Sequence, residues 1–305
     1  MALRLPRAVL DLALRLLVKR SLARQDSPVA LRANFERSAG RLFRLPKGTA
    51  TAPLALAAGG RAVPALRVAA AGVSEARVLL YLHGGAYLAG SPCTHAHLAA
   101  HLGARAGAVA VLPDYRLAPE HPFPAAPEDA LTAYRALLEA GTPAARIAVA
   151  GDSAGGGLAA ALLLAAGRAG LPQPAALVAF SPWADMTMRG ASLAENARTD
   201  AMLPAHRMAE VVAMILQGAD PADPLASPAL AAFEAPPPAW ISASRREIVR
   251  DDATALAERL RAAGGAVTLR IEPEAPHAWP AFVGLLAAAD RTVAEAGGFL
   301  AERLA

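Results

Sequence analysis

Three stretches of this sequence hold side chains whose types and spacing suit nucleophilic attack on a carbonyl carbon. The first is Gly151-Asp152-Ser153-Ala154-Gly155, a G-x-S-x-G pentapeptide. Glycines on both sides permit a sharp turn that lifts the serine hydroxyl above a sheet, and a helix N-terminus behind it favours developing negative charge. Such letters also make plain turns, so the pattern gains meaning only between a strand and a helix. The second stretch is His83-Gly84-Gly85-Ala86-Tyr87. Its backbone N–H groups can converge on an oxyanion together with the N–H of Ala154, and which two of Gly84, Gly85 and Ala86 donate stays open. His83 precedes the serine, whereas this strand–serine–helix chemistry puts its base last, so His83 is expected to orient the loop.

The third stretch lies near the C-terminus. His277 follows the run Val267–Ile271 by six residues, sits in the loop Ala275-Pro276-His277-Ala278-Trp279-Pro280, and is the only histidine after His206. It is the expected general base. An acid should follow the preceding strand, where Glu247, Asp251 and Asp252 are available. The aspartates open an amphipathic helix, where capping accounts for at least one of them without catalysis. Glu247, three residues past the strand, is the chosen partner of His277, with Asp251 as the alternative. Asp152, beside the serine, reads as a buried hydrogen-bonding group.

Positioning these groups takes a sheet. Apolar runs at 53–57, 62–70, 77–82, 107–112, 146–150, 175–181, 239–244 and 266–271 read as strands. From the third onward they alternate with helical segments at 93–105, 124–140, 155–169, 251–263 and 281–303. That alternation calls for a mostly parallel sheet with helices on both faces. The first two runs, joined at Gly59-Gly60, read as an antiparallel hairpin at one edge. Alternation stops from Asp185 to Ala235, a stretch holding five of the six methionines, which reads as a lid or second lobe. Residues 3–19 place Leu5, Val9, Leu12 and Leu16 on one face with arginines interleaved. This predicts an amphipathic helix with its arginines in solvent. A second helix is expected from Ser27-Pro28 to about Ser38.

The motifs together resemble the bacterial hormone-sensitive-lipase-like branch of the α/β-hydrolase esterases. The resemblance rests on His83-Gly84-Gly85, the run from Asp114 to Ala126, Gly151 to Gly156, Ser181-Pro182-Trp183, Asp223 to Pro228, and Glu247 to Asp252. It implies an eight-stranded, mostly parallel sheet, a helical cap, and the roles of nucleophile, acid and base for Ser153, Glu247 and His277. The expected division is residues 1–46 as cap helices, 47–184 as the first part of the core, 185–226 as cap insertion, and 227–305 as the rest of the core. Tyr87, Trp279 and the cap methionines Met186, Met202 and Met208 are expected to line the substrate pocket. Two departures stand out: Ala86 replaces the family's third glycine, and Arg245 and Arg246 precede the acid. A guanidinium there would hold Glu247 ionised or compete with His277 for it. Glutamate in place of aspartate resembles the acetyl-hydrolase and monoterpene lactone hydrolase members, which adds lactones to short esters as candidate substrates.

Composition narrows the alternatives. The net charge of +4 divides unevenly: residues 1–50 hold eleven Lys/Arg against three Asp/Glu, and the rest is slightly acidic. This is one basic segment, not a nucleic-acid-binding stripe. A single cysteine, Cys93, excludes an internal disulfide, and no apolar run approaches membrane-spanning length. His95, His97 and His101 lack the further ligand a metal site needs and read as a polar helix start. The expectation is therefore a cytoplasmic carboxylic ester hydrolase with no metal and no cofactor, acting on small-molecule esters of short-to-medium acyl chain. Nucleic acid and stable membrane association are not expected, and a homodimer is left open. A non-catalytic ligand-binding relative would lose a member of the serine–acid–histidine set, and a serine peptidase fits the His-Gly-Gly loop less well.

Overall fold

The computed structural model describes residues 4–24 and 27–305. An N-terminal helix runs as α1 (Arg7–Ala13), a π-helical stretch Leu14–Lys19, and α2 (Arg20–Arg24); α3 (Pro28–Leu42) follows, capped by the Ser27 hydroxyl, which accepts from the Ala30 N–H. The core comprises β1 (Ala50–Ala58), β2 (Arg61–Ala69), β3 (Ser74–Leu82), α4 (Pro92–Ala106), β4 (Ala108–Pro113), α5 (Ala125–Glu139), β5 (Ile147–Asp152), α6 (Ala154–Arg168) and β6 (Ala176–Phe180). An insertion carries α7 (Ser192–Glu195) and α8 (Met208–Leu216) before β7 (Ala239–Ser244), α9 (Arg250–Ala262), β8 (Val267–Glu272) and α10 (Ala287–Arg303).

All eight expected strands form one sheet, in the order β1-β2-β4-β3-β5-β6-β7-β8. β1 and β2 form the antiparallel hairpin at one edge, β2 is also antiparallel to β4, and every later pairing is parallel. Parallel strands buried on both faces must be apolar on both faces. β3 meets that need by alternation: Val78, Leu80 and Leu82 enter one core layer, Leu79 and Tyr81 the other. The first layer is closed by α5, α6 and α9, the second by α4 and α10. Alanines such as Ala159 and Ala160 on α6, fully buried, let that helix lie close to the sheet beneath the serine turn.

Two expectations about the helices change. The stretch 281–303 is broken: Trp279–Phe282 is a short 3-10 turn, and α10 begins only at Ala287. The N-terminal helix buries Leu10 and Leu14, while Val9, Leu12 and Leu16 point outward. Its inward face is held by polar groups instead. Arg15 donates to the Arg198 and Thr199 carbonyls at 2.8 and 2.7 Å, and Lys19 to those of Ala197 and Asp200 at 2.9 and 2.7 Å. These four hydrogen bonds fix which side of the helix faces the insertion and leave the leucine stripe outward.

Candidate active site

Ser153 is the single residue between β5 and α6. Its backbone sits at φ +52°, ψ −123°, a strained conformation for a non-glycine residue. Neighbouring glycines make the turn possible. A Cβ on Gly155 would lie 2.1 Å from the Leu82 carbonyl oxygen and 2.4 Å from that of His83, so only hydrogen allows the helix start to approach β3. The Ser153 N–H donates to Phe180 O at 2.8 Å, and the N–H of Trp183 donates to Ser153 O at 2.9 Å, locking the turn from the β6 side.

His277 lies in the loop after β8. Its Nε2 stands 2.8 Å from Ser153 Oγ and its Nδ1 2.7 Å from Glu247 Oε2. Glu247 follows β7 by three residues and is completely buried. Its other oxygen accepts from the Ser244 N–H at 2.7 Å, so both carboxylate oxygens are engaged. Burial alone would lower the His277 pKa, but the hydrogen bond and charge of Glu247 raise it above the ordinary histidine value. Two serines hold the loop. Ser244 Oγ donates to Ala275 O at 2.6 Å, and Ser181 Oγ accepts from the Ala278 N–H at 3.1 Å.

The aspartates after Glu247 do other work. Asp251 accepts from the Ser192 N–H at 2.8 Å and pairs with Arg250. Asp252 accepts from the N–H groups of Ala184 and Asp185 at 2.9 and 3.0 Å. Neither is hydrogen-bonded to His277, so the alternative acid is not positioned for it. Arg245 is exposed, and Arg246 turns toward Asp11 at 3.7 Å, so neither guanidinium competes with His277 for Glu247.

Asp152 is 3% exposed and accepts from Tyr81 OH at 2.7 Å and from the Gly84 N–H at 3.2 Å. Burial would raise its pKa, but the adjacent His95 and Tyr81 bring it below the ordinary carboxylate value. The bond to Gly84 narrows the oxyanion question. Gly84 has spent its N–H on Asp152, whereas among the described residues those of Gly85, Ala86 and Ala154 have no acceptor. Ala86 and Tyr87 both adopt positive φ, +55° and +56°, a tight turn imposed on side chains that disfavour it. His83 stacks on Tyr115 at 4.2 Å, and burial pushes its pKa down to about 3, so it is a neutral ring supporting the loop.

Two apolar cavities flank this loop. The larger, about 80 Å³, lies on the Ala86 side, lined by Leu22, Pro28 and Leu31 of the N-terminal segment and by Met208, Val211 and Met214 of α8. The smaller, about 20 Å³, lies on the Tyr87 side against Phe123, Met186 and Ile215. Tyr87 and Met186 line the smaller cavity and Met208 the larger, though neither Ser153 nor His277 lines either one. Trp279 and Met202 line neither. Trp279 is 1% exposed in the second core layer, with its Nε1 donating to Thr292 Oγ1 at 3.0 Å, and Met202 packs against that same layer. In that layer α10 offers the tryptophan both apolar packing and a hydroxyl acceptor.

The histidines of α4 are also not the polar helix start expected. His95 and His97 are buried: His95 lies 3.5 Å from Asp152, and His97 hydrogen-bonds Ala281 O at 2.6 Å and stacks on Phe43. Among the described residues no three His, Cys, Asp or Glu side chains are grouped to hold a metal ion. One set of polar residues escaped the sequence reading altogether. Asn196 Nδ2 donates to Arg245 O and Glu247 O, both at 2.9 Å, and Thr199 Oγ1 to Arg246 O at 3.1 Å. Asp200 accepts from the Ile248 N–H at 3.0 Å, and Ser192 donates to Ile248 O at 2.8 Å. Four insertion side chains thus clamp the backbone around Glu247. Their one sequence signal is a cluster of polar residues, Asn196 to Asp200, inside a methionine-rich insertion.

This geometry sits in a recognisable lineage. A family model described as the alpha/beta hydrolase fold matches residues 79–281. The chain belongs to the α/β-hydrolases. Its branch is that of the bacterial hormone-sensitive-lipase-like esterases. A crystal structure of an esterase from the bacterial hormone-sensitive lipase family superposes with a TM-score of 0.91 at 37% identity, covering 98% of both chains. An acetyl-hydrolase of Streptomyces hygroscopicus is 45% identical over 226 residues, 74% of this chain and 76% of the relative. The carboxylesterase/phospholipase LipF of Mycobacterium tuberculosis is 32% identical over 295 residues, 92% of this chain and 76% of the relative. This α/β-hydrolase is therefore an enzyme that hydrolyses carboxylic esters. No helix among its described residues is long and apolar enough to cross a membrane.

Proposed function

We propose that this α/β-hydrolase cleaves short-chain esters, lactones included, through a Ser153–His277–Glu247 triad and an acyl-enzyme. The observation that carries the reading is the unbroken hydrogen-bond chain Ser153 Oγ–His277 Nε2, His277 Nδ1–Glu247 Oε2. His277 takes the Ser153 proton as the oxygen attacks the ester carbonyl, and Glu247 holds the ring in the required tautomer and stabilises the imidazolium. The N–H groups of Gly85, Ala86 and Ala154 receive the oxyanion; each such donor is worth roughly 3–4 kcal/mol of barrier. His277 then protonates the leaving alcohol, and a water activated by the same ring attacks the acyl carbonyl and frees Ser153.

Small apolar cavities on both sides of the oxyanion loop support a short acyl group over a long one. The name of the Streptomyces relative, an acetyl-hydrolase, agrees with that size. A cytoplasmic location remains part of this reading. The decisive experiment is Ser153→Ala assayed on p-nitrophenyl butyrate. Loss of turnover to the background is expected; retention of appreciable activity by the folded variant overturns the assignment.

A further inference from the structure

Nine large hydrophobic side chains are exposed among the described residues, and five lie between positions 9 and 29: Val9, Leu12, Leu16, Leu17 and Val29. The first four stand on the outward side of the α1–α2 helix, where Leu12 is 57% and Leu17 70% exposed. A stripe of this kind on a chain with a well-filled core marks a contact surface. The same outward side carries Arg20 and Arg24, both exposed and without an ion-pair partner among the described residues. It carries no carboxylate, because Asp11, the only acid from position 4 to 24, is turned inward and held by Arg7 at 2.7 Å.

We propose that this face docks reversibly on an anionic lipid surface. Leucine and valine side chains enter the boundary between headgroups and acyl chains while the arginines meet lipid phosphates, which is how amphipathic helices lie on membranes. Charge argues against a second copy of this chain as the occupant: a two-fold contact sets the same patch against itself and brings like charges together. Residues 1–50 hold eleven cations against three acids, and the rest of the chain is slightly acidic, so the attraction to anionic lipid is confined to this end. Leu22 of α2 lines the larger cavity beside Ala86, so the docked helix adjoins the pocket. Esters dissolved in the lipid would then be concentrated near the site.

The test is co-sedimentation of the full chain with phosphatidylcholine vesicles, with and without phosphatidylglycerol. Binding is expected only to the vesicles holding phosphatidylglycerol, falling as salt is raised. Arg20→Gln/Arg24→Gln should lower that partitioning about tenfold or more. Leu12→Glu/Leu17→Glu should reduce it to the level of neutral vesicles. Both variants should keep wild-type turnover of soluble p-nitrophenyl butyrate, which shows them folded and separates this inference from the triad. Failure of the wild type to bind anionic vesicles overturns it. A light-scattering mass of a dimer that the leucine variant dissociates, with vesicle binding unchanged, assigns the face to self-association and likewise overturns it.

Discussion

At the scale of single residues, the proton on His277 decides the chemistry. In the proposed mechanism the neutral ring is the base, and Glu247 raises its pKa above 6.5. Activity expressed as kcat/KM should therefore rise with pH through an apparent pKa above that value. Removing the charge with Glu247→Gln takes away what raises the pKa and frees the ring to choose the wrong tautomer. The expected result is a pH profile shifted to lower pH and a kcat lowered by roughly 10³–10⁴-fold. Asp251→Asn, by contrast, leaves kcat within a few-fold, since its carboxylate serves Ser192 and Arg250. An inactive Asp251 variant beside an active Glu247 variant would reverse the choice of acid.

At the scale of elements, the insertion holds the segment around Glu247. The segment from Ser192 to Asp200 grips the loop 245–248 through its backbone and is itself tied to the N-terminal helix by Arg15 and Lys19. Truncating Asn196 to alanine releases the carbonyls of Arg245 and of Glu247 itself, and misplacement of a catalytic group by about 1 Å can cost 10²-fold. Asn196→Ala is expected to lower kcat by about tenfold to a hundredfold with a smaller change in KM, measured on the same soluble ester. Asp252, which fastens the start of the insertion, behaves differently. Burial first, then the nearby Asp185 and Asp251, push its pKa up to about 8 against the opposing hydrogen bonds from Ala184 and Asp185. The folded state then holds a proton that the unfolded chain releases near pH 4, so this carboxyl makes stability fall as pH rises from about 4 to 8. Asp252→Asn keeps an acceptor and removes that dependence. Thermal unfolding should find the variant gaining on wild type between pH 5 and pH 9, and a constant difference would refute the shift.

At the scale of the whole molecule, the pocket belongs to no single segment. Its larger cavity is walled by the N-terminal helices, the oxyanion loop and α8, three parts of the chain that meet only in the folded state. With about 80 Å³ on one side of the loop and 20 Å³ on the other, turnover of p-nitrophenyl esters from acetate to palmitate should peak at the short end. A maximum at palmitate would mean that the helices bounding the cavity open much further than their packing here allows.

The sheet and the serine turn are legible along the chain. G-x-S-x-G demands a strand before it and a helix after it, and β5 and α6 meet at Ser153 because glycine alone fits under the turn. The central runs β4 to β7 were legible because strands buried on both faces must be continuously apolar. Tertiary structure alone decided matters of partnership. It gave the Gly84 N–H to Asp152, sent Trp279 to Thr292 in the second core layer, and buried His95 and His97 against groups far along the chain. It also turned the leucine stripe of the first helix outward, because Arg15 and Lys19 had carbonyls of the insertion to satisfy. The division has one physical cause. Local geometry and apolar periodicity act within a few residues and are written in order along the chain, whereas a buried polar group takes whichever partner the fold brings within about 3 Å of it.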